Sequence, residues 1–211
     1  MTEWVTAVTI RLLRMQEYDL IADWYARDRK TDREAVGVAE VERLTTILPP
    51  GAAVIDVGCG NGLPLTKLLV DAGFDVLGVD SSPRMLERFR ANLPSTRAIC
   101  SPIQTADLLP GHFDAAISWG MIFHLPHHDQ ALVFAKVAEA LKPGGRFLFT
   151  SGDQGEPDDD GIEGAPMNGV PFHYWSLTPE GYEALLQQHG FRLIETHQDS
   201  GKNTYYLAEK A

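Results

Sequence analysis

The sequence predicts an α/β protein with a doubly wound, mostly parallel sheet, on three observations. Short apolar runs alternate with helical patterns from Val54 to Thr150, at the spacing that parallel crossovers need. The first run, Val54-Ile55-Asp56-Val57, passes directly into the glycine turn Gly58-Cys59-Gly60-Asn61-Gly62 and a helix start at Leu63-Pro64. The second run, Phe74 to Val79, ends on an acid, Asp80.

Each element has a local signal. Val5 to Leu13 offers a strand with no clear period. Tyr18, Ile21 and Tyr25 share one helical face with Leu20 and Trp24 beside it, and Asp32 opens a second helical pattern through Val38, Val41, Leu44 and Leu48. Pro49-Pro50 breaks that pattern before the first core strand. Glycines at alternate positions of the turn allow close approaches that a β-carbon forbids. Pro64 suits a first helical turn, where its missing N–H has no intrahelical partner, and Leu65, Leu68, Leu69 and Ala72 continue at helical spacing up to Gly73. Ser82-Pro83 reads as an N-cap followed by proline, with Met85, Leu86, Phe89 and Leu93 on the inner face.

Arg97 to Cys100 and Phe113 to Ser118 read as strands around a polar segment, Ser101 to His112. Asp129 opens a helix with Val133, Val137, Ala140 and Leu141, closed by Lys142-Pro143-Gly144-Gly145 ahead of a strand from Arg146 to Thr150. Residues 151–172 are rich in Gly, Asp, Glu and Pro and read as an exposed loop on the substrate side. Thr178-Pro179 caps a helix through Tyr182, Leu185 and Leu186. Phe191 to Thr196 and Asn203 to Ala208 then form a terminal hairpin around Asp199-Ser200-Gly201.

With 211 residues the chain is long enough for one full core and short for two, so a single domain is expected, with cap helices over 1–48 and the core over 49–211. A composition 44% hydrophobic and 22% charged belongs to the globular class. No apolar run reaches bilayer length and the first residues lack a secretory layout, which predicts a cytoplasmic protein without a membrane partner. The net charge of -11 argues against a nucleic-acid partner, because phosphate binding draws on clustered Lys and Arg. The two cysteines, Cys59 and Cys100, show neither metal-ligand nor disulfide spacing. A monomer and a homodimer are both open.

An acid at the end of the second strand, about 20 positions beyond a glycine turn, is placed to accept hydrogen bonds from ribose hydroxyls. Two ligand classes fit, a dinucleotide such as NAD and S-adenosylmethionine, and Asp56 separates them. A carboxylate beside the turn repels a pyrophosphate. The α-ammonium and sulfonium of S-adenosylmethionine are positive and complement it, while the helix start at Pro64 can face the methionine carboxylate. The turn also lacks the third glycine at the position the dinucleotide fingerprint requires.

At these residues the sequence resembles the class I S-adenosylmethionine-dependent methyltransferases of small-molecule type. Val54 to Gly62 looks like the family's first motif and Leu77-Gly78-Val79-Asp80-Ser81-Ser82-Pro83-Arg84-Met85-Leu86 like its second. Phe113-Asp114 through His124-Leu125 is similar to the fourth-strand motif, and Leu141 to Phe147 to the one before strand five. The resemblance implies a Rossmann-like sheet of seven strands with the last antiparallel, and cap helices at the N-terminus. It implies that Asp80 holds the ribose, that Met85 lies near the adenine, and that Tyr18 and Tyr25 close over the cofactor. The family often has a Gly-Asp pair after the third strand, and here Cys100-Ser101 stands there, which leaves the adenine to the Ser101 hydroxyl or to a backbone carbonyl, with Ser101, Pro102 and Ile103 as the candidate contacts.

The expected cofactor site comprises Tyr18, Tyr25, Asp56, Gly58, Cys59, Gly60, Gly62, Leu63, Pro64, Asp80, Ser81, Met85, Ser101, Pro102, Ile103, Ser118, Trp119 and Gly120. Trp119 reads equally as core. His124, His127 and His128 lack a carboxylate or cysteine at ligand spacing, so no metal is expected. His124 at the fourth-strand end, and His173 and Tyr174 after the loop, are the candidates to position or deprotonate a small-molecule methyl acceptor. An oxidoreductase on a similar sheet and a non-catalytic partner subunit that binds S-adenosylmethionine are the rival readings.

Overall fold

The computed structural model describes residues 17–28, 35–152, 162–164, 166–198 and 203–211. Val5 to Leu13, Asp32 and the hairpin turn Asp199-Ser200-Gly201 lie outside them. Helices α1 (Glu17–Asp28) and α2 (Val38–Ile47) precede β1 (Ala53–Val57). Then follow α3 (Leu65–Asp71), β2 (Asp75–Asp80), α4 (Pro83–Asn92), β3 (Arg97–Cys100) and β4 (Phe113–Ser118). The chain continues through α5 (His127–Ala140), β5 (Leu141–Ser151), β6 (Ile162–Glu163), β7 (His173–Tyr174), α6 (Pro179–Gln188), β8 (Phe191–Gln198) and β9 (Thr204–Lys210).

Seven strands form one sheet in the order β3-β2-β1-β4-β5-β9-β8. β1 to β5 pair in parallel, and β9 inserts antiparallel between β5 and β8. The resemblance implied this arrangement, and the terminal hairpin supplies the antiparallel strand.

Strand periodicity divides the core between the two faces. Ile55, Val57, Ala116, Phe147, Phe149 and Tyr206 pack toward α5 and α6, against Phe134, Val137, Tyr182 and Leu186. Their neighbours Val54, Ala115, Ile117, Leu148 and Tyr205 face the other way, onto Val38, Val41 and Leu44 of α2 and Leu65 and Leu69 of α3. Both faces are covered, which is why these strands read as continuous apolar runs.

Three expectations need correction. α5 begins at His127, two residues before Asp129, because Pro126 sets the N-cap and leaves Asp129 buried in the first turn. β5 starts at Leu141, which pairs with Phe113 before a register shift to Arg146, so Lys142 to Gly145 belong to the strand's irregular start. Residues 151–172 are not all loop: β6 pairs antiparallel with β7, joining Ile162 to Tyr174 and Glu163 to His173. No helix among the described residues is long and apolar enough to cross a membrane.

Candidate functional site

The strand order reverses between β1 and β4, and a crevice forms outside their carboxyl ends. On the β1 side the glycine turn is stitched to β2. The Gly58 and Cys59 amides donate to the Val79 carbonyl at 2.8 and 3.2 Å. Gly60 N–H donates to Asp80 Oδ2 at 2.8 Å, and Ser82 N–H to Asp80 Oδ1 at 2.8 Å. Both carboxylate oxygens of Asp80 are thus fixed by backbone amides of the turn and of the start of α4. Burial pushes the Asp80 carboxyl above the ordinary aspartate range, while the amides of Ser82, Gly60 and Ser81 pull it back.

The turn needs its glycines. Gly58 and Gly62 have φ of 77° and 80°. A β-carbon on Gly62 would lie 2.7 Å from Leu93, and one on Gly58 2.7 Å from Met121. Cys59 is buried, and burial followed by the nearby Asp56 and Asp80 carboxylates holds its thiol well above the usual range, so it packs as a protonated thiol.

A cavity runs along the turn, lined by Tyr25, Asp56, Gly58, Cys59, Gly60, Asn61, Gly62, Leu63, Leu65, Thr66 and Trp119. Asp56 is 4% exposed and accepts the Thr66 hydroxyl at 2.5 Å. Pro64 is buried just ahead of α3. Trp119 serves both readings at once, as part of the core under α2 and as cavity wall. Its indole lies against Gly37, where a β-carbon would come within 2.6 Å.

The β4 side is built from rings. His124 sits in a short 3-10 turn, Ile122–His124, after β4. Its Nδ1 lies 3.1 Å from the His173 carbonyl, and a carbonyl only accepts, so Nδ1 carries the proton. Nε2 therefore holds the lone pair and accepts the Tyr18 hydroxyl at 3.1 Å. Burial pushes the His124 pKa down to about 4, against the bond to His173. The imidazole is neutral at physiological pH. Tyr174 packs against His124 with centroids 4.8 Å apart and stacks on Phe123 at 5.8 Å, and Phe172 meets Tyr18 edge-on at 5.0 Å.

This segment is cross-braced. Trp175 N–H donates to the Phe123 carbonyl at 2.7 Å. The buried Gln130 amide donates to the carbonyls of Leu125 and Trp175 at 2.8 and 2.6 Å, and accepts the Tyr182 hydroxyl at 3.0 Å.

The structure gathers Tyr25, Asp56, the glycine turn, Leu63 and Trp119 around one cavity, with Asp80 joined through Gly60. Tyr18, His124 and Tyr174 form a second group. His173 takes part through its carbonyl, while its ring stacks on Trp175. Near β3, the Ser101 amide donates to the Asp80 carbonyl at 3.0 Å and its hydroxyl to the Pro102 carbonyl at 2.9 Å. Ile103 and Met85 are buried, and the Gly120 amide donates to Thr150 Oγ1 at 2.9 Å. Ser118 is fully buried and Ser81 half-buried. Among the described residues no group of three or more His, Cys, Asp or Glu is placed to hold a metal.

Sequence reasoning missed Thr66, Phe172, Gln130 and Asp19. Thr66 and Gln130 occupy ordinary polar helix positions, and Phe172 follows an aperiodic stretch. Asp19 shows only as an acid in an amphipathic helix.

Sheet order, glycine turn and acid-tipped second strand define the class I methyltransferase fold. The chain belongs to the methyltransferase domain family, whose model matches residues 25–196. It resembles a ubiquinone biosynthesis O-methyltransferase of Idiomarina loihiensis, 39% identical over 106 residues, covering 48% of this chain and 42% of the relative. A transposon-encoded 37.1 kDa protein of Streptomyces fradiae is 36% identical over 118 residues, 54% of this chain and 32% of the relative. The chain thus aligns with less than half the length of these curated relatives. Among solved structures, the 1,6-didemethyltoxoflavin-N1-methyltransferase of Burkholderia thailandensis superposes with a TM-score of 0.68 at 21% identity, covering 95% of this chain and 89% of its own. An amino pentose methyltransferase from Micromonospora echinaspora gives 0.69 at 20%, covering 90% and 95%.

Proposed function

We propose that the protein transfers the methyl group of S-adenosylmethionine to oxygen or nitrogen of a small-molecule acceptor, releasing S-adenosylhomocysteine. The observation that carries this reading is the pairing of two acids on the glycine turn. Asp80 is held by the Gly60 and Ser82 amides as the acceptor for a ribose diol, and Asp56 puts a carboxylate on the cavity wall. That donor set fits a cofactor with a positive amino-acid end and opposes a pyrophosphate.

The bound cofactor supplies a methyl already activated by positive sulfur, and the chain's residues do the rest by alignment. Asp80 orients the ribose, Asp56 and the turn receive the methionine end, and Tyr25 and Trp119 wall it in. Across the crevice, neutral His124 presents Nε2 to an acceptor O–H or N–H in place of the Tyr18 hydroxyl. Tyr18, Phe123, Phe172 and Tyr174 favour a planar acceptor. As the methyl carbon exchanges its bond to sulfur for one to the acceptor oxygen or nitrogen, the acceptor's proton passes to solvent water, so His124 orients the nucleophile and stays neutral. A small-molecule acceptor is supported by the ubiquinone biosynthesis relative and by the 1,6-didemethyltoxoflavin and amino pentose methyltransferases.

The test is incubation of the purified chain with methyl-labelled S-adenosylmethionine and a metabolite extract, with mass identification of the product. A labelled small-molecule O- or N-methyl product is expected. Label on protein or nucleic acid alone would contradict the reading.

A further inference from the structure

The first turn of α1 bridges the two groups: Tyr18 donates to His124 beyond β4, and the next residue, Asp19, reaches the start of α4 beyond β2. Asp19 Oδ1 accepts the Ser82 hydroxyl at 2.6 Å and the Arg84 amide at 3.0 Å, and the Asp19 carbonyl accepts Arg84 Nη1 at 3.2 Å. One turn further along, Asp23 pairs with Arg84 at 2.9 Å and with Arg88. Both Asp23 pairs are solvent-exposed, while Ser82 is 1% exposed.

Ser82 joins two functions in one residue. Its hydroxyl accepts the Met85 amide as N-cap of α4 and donates to Asp19, and its own amide fixes Asp80 Oδ1. A carboxylate at this helix start is favoured by the free amides there and by the helix dipole. A short path of hydrogen bonds therefore runs from α1 through Ser82 to the acid assigned to the ribose, and through the other Asp80 oxygen to Gly60 of the turn.

We infer that Asp19 is a positioning residue that couples docking of α1 to the orientation of Asp80, so that cofactor binding and closure of α1 over the crevice favour each other. The inference rests on the S-adenosylmethionine reading above. A ribose diol on Asp80 holds the carboxylate in the rotamer that also suits Ser82, and a fixed Ser82 presents its hydroxyl to Asp19. By linkage, a docked α1 strengthens binding by the same factor that binding strengthens docking. The requirement at position 19 is an acceptor oxygen. Asparagine meets it and alanine does not.

The experiment uses the full chain with S-adenosylhomocysteine as probe, combining titration calorimetry with amide hydrogen exchange of the α1 peptide. Asp19→Ala is expected to bind about tenfold more weakly, a loss matching one hydrogen bond. Its α1 amides should no longer slow on ligand addition, while the core strands keep their protection. Asp19→Asn should restore affinity to within about twofold of wild type and restore ligand-induced slowing. Asp23→Ala, which removes only exposed pairs, should bind within about twofold of wild type. Unchanged affinity of Asp19→Ala with α1 slowed as in wild type overturns the inference, and so does a weakening of Asp23→Ala equal to that of Asp19→Ala. If wild type itself does not bind S-adenosylhomocysteine, the functional reading falls first and this inference falls with it.

Discussion

The two sides of the crevice are built by opposite means. The β1–β2 side is made of backbone: amides of Gly58, Cys59 and Gly60 on β2 atoms, with the Asp80 and Asp56 carboxylates set into that frame. The β4–β7 side is made of side chains, with Tyr18, Phe123, His124, Phe172 and Tyr174 meeting ring to ring. A backbone site recognises a ligand common to many proteins and tolerates little change. A side-chain site can change its acceptor by substitution without disturbing the sheet.

That contrast can be broken most forcefully at Asp80. Asp80→Ala should weaken S-adenosylhomocysteine binding about a hundredfold, the loss of two hydrogen bonds to a charged acceptor, with a cooperative unfolding transition retained at a Tm lowered by the loss of its bonds to the Gly60 and Ser82 amides. Equal binding by wild type and variant would remove the ribose assignment. On the opposite side, His124→Gln should lower kcat for the identified acceptor about tenfold through misalignment, with cofactor affinity within about twofold. A fall in cofactor affinity as large as the fall in kcat would merge the two sides.

Acidity gives a smaller and more specific effect. His124 has a folded pKa of about 4 against 6.5 for an unperturbed histidine. Between those values the unfolded chain takes up the proton and the folded chain does not, so stability falls as pH drops from 6.5 toward 4 and is flat above 6.5. His124→Gln should flatten that slope in urea denaturation measured across the window. The profile of kcat/KM should likewise show no histidine limb near pH 6.5, and such a limb would show that His124 titrates in function.

The smallest effect on binding is expected at Gly37, which supports the cavity wall from behind. Its φ of 90° and the 2.6 Å approach of a β-carbon to Trp119 predict that Gly37→Ala loses about 1–3 kcal/mol by chemical denaturation. Cofactor affinity should fall only as far as Trp119 shifts.

Legibility in the sequence follows the same division. Between Val54 and Asp80 each contact joins residues near in sequence or on adjacent strands, so the spacing of the glycines and two acids displayed the candidate site. Strands Arg97–Cys100 and Phe113–Ser118 were readable to the residue, because each is a short run bounded by polar breaks. The aromatic side depends on Tyr18, His124 and Phe172 meeting across 48 to 154 residues of sequence, which no local pattern records. His173 shows the limit well: its position beside the site was legible, but the use of its carbonyl instead of its ring was a matter of strand pairing with Glu163. The pairing of β6 with β7 escaped for the same reason, since two-residue strands carry no period.

The central claim, that the glycine turn and its two acids hold a positively charged nucleoside cofactor, is tested most directly by calorimetric titration of the full chain. Separate titrations with S-adenosylhomocysteine and NADH should give saturable binding of S-adenosylhomocysteine and no heat from NADH. Saturable NADH binding with none of S-adenosylhomocysteine would contradict it.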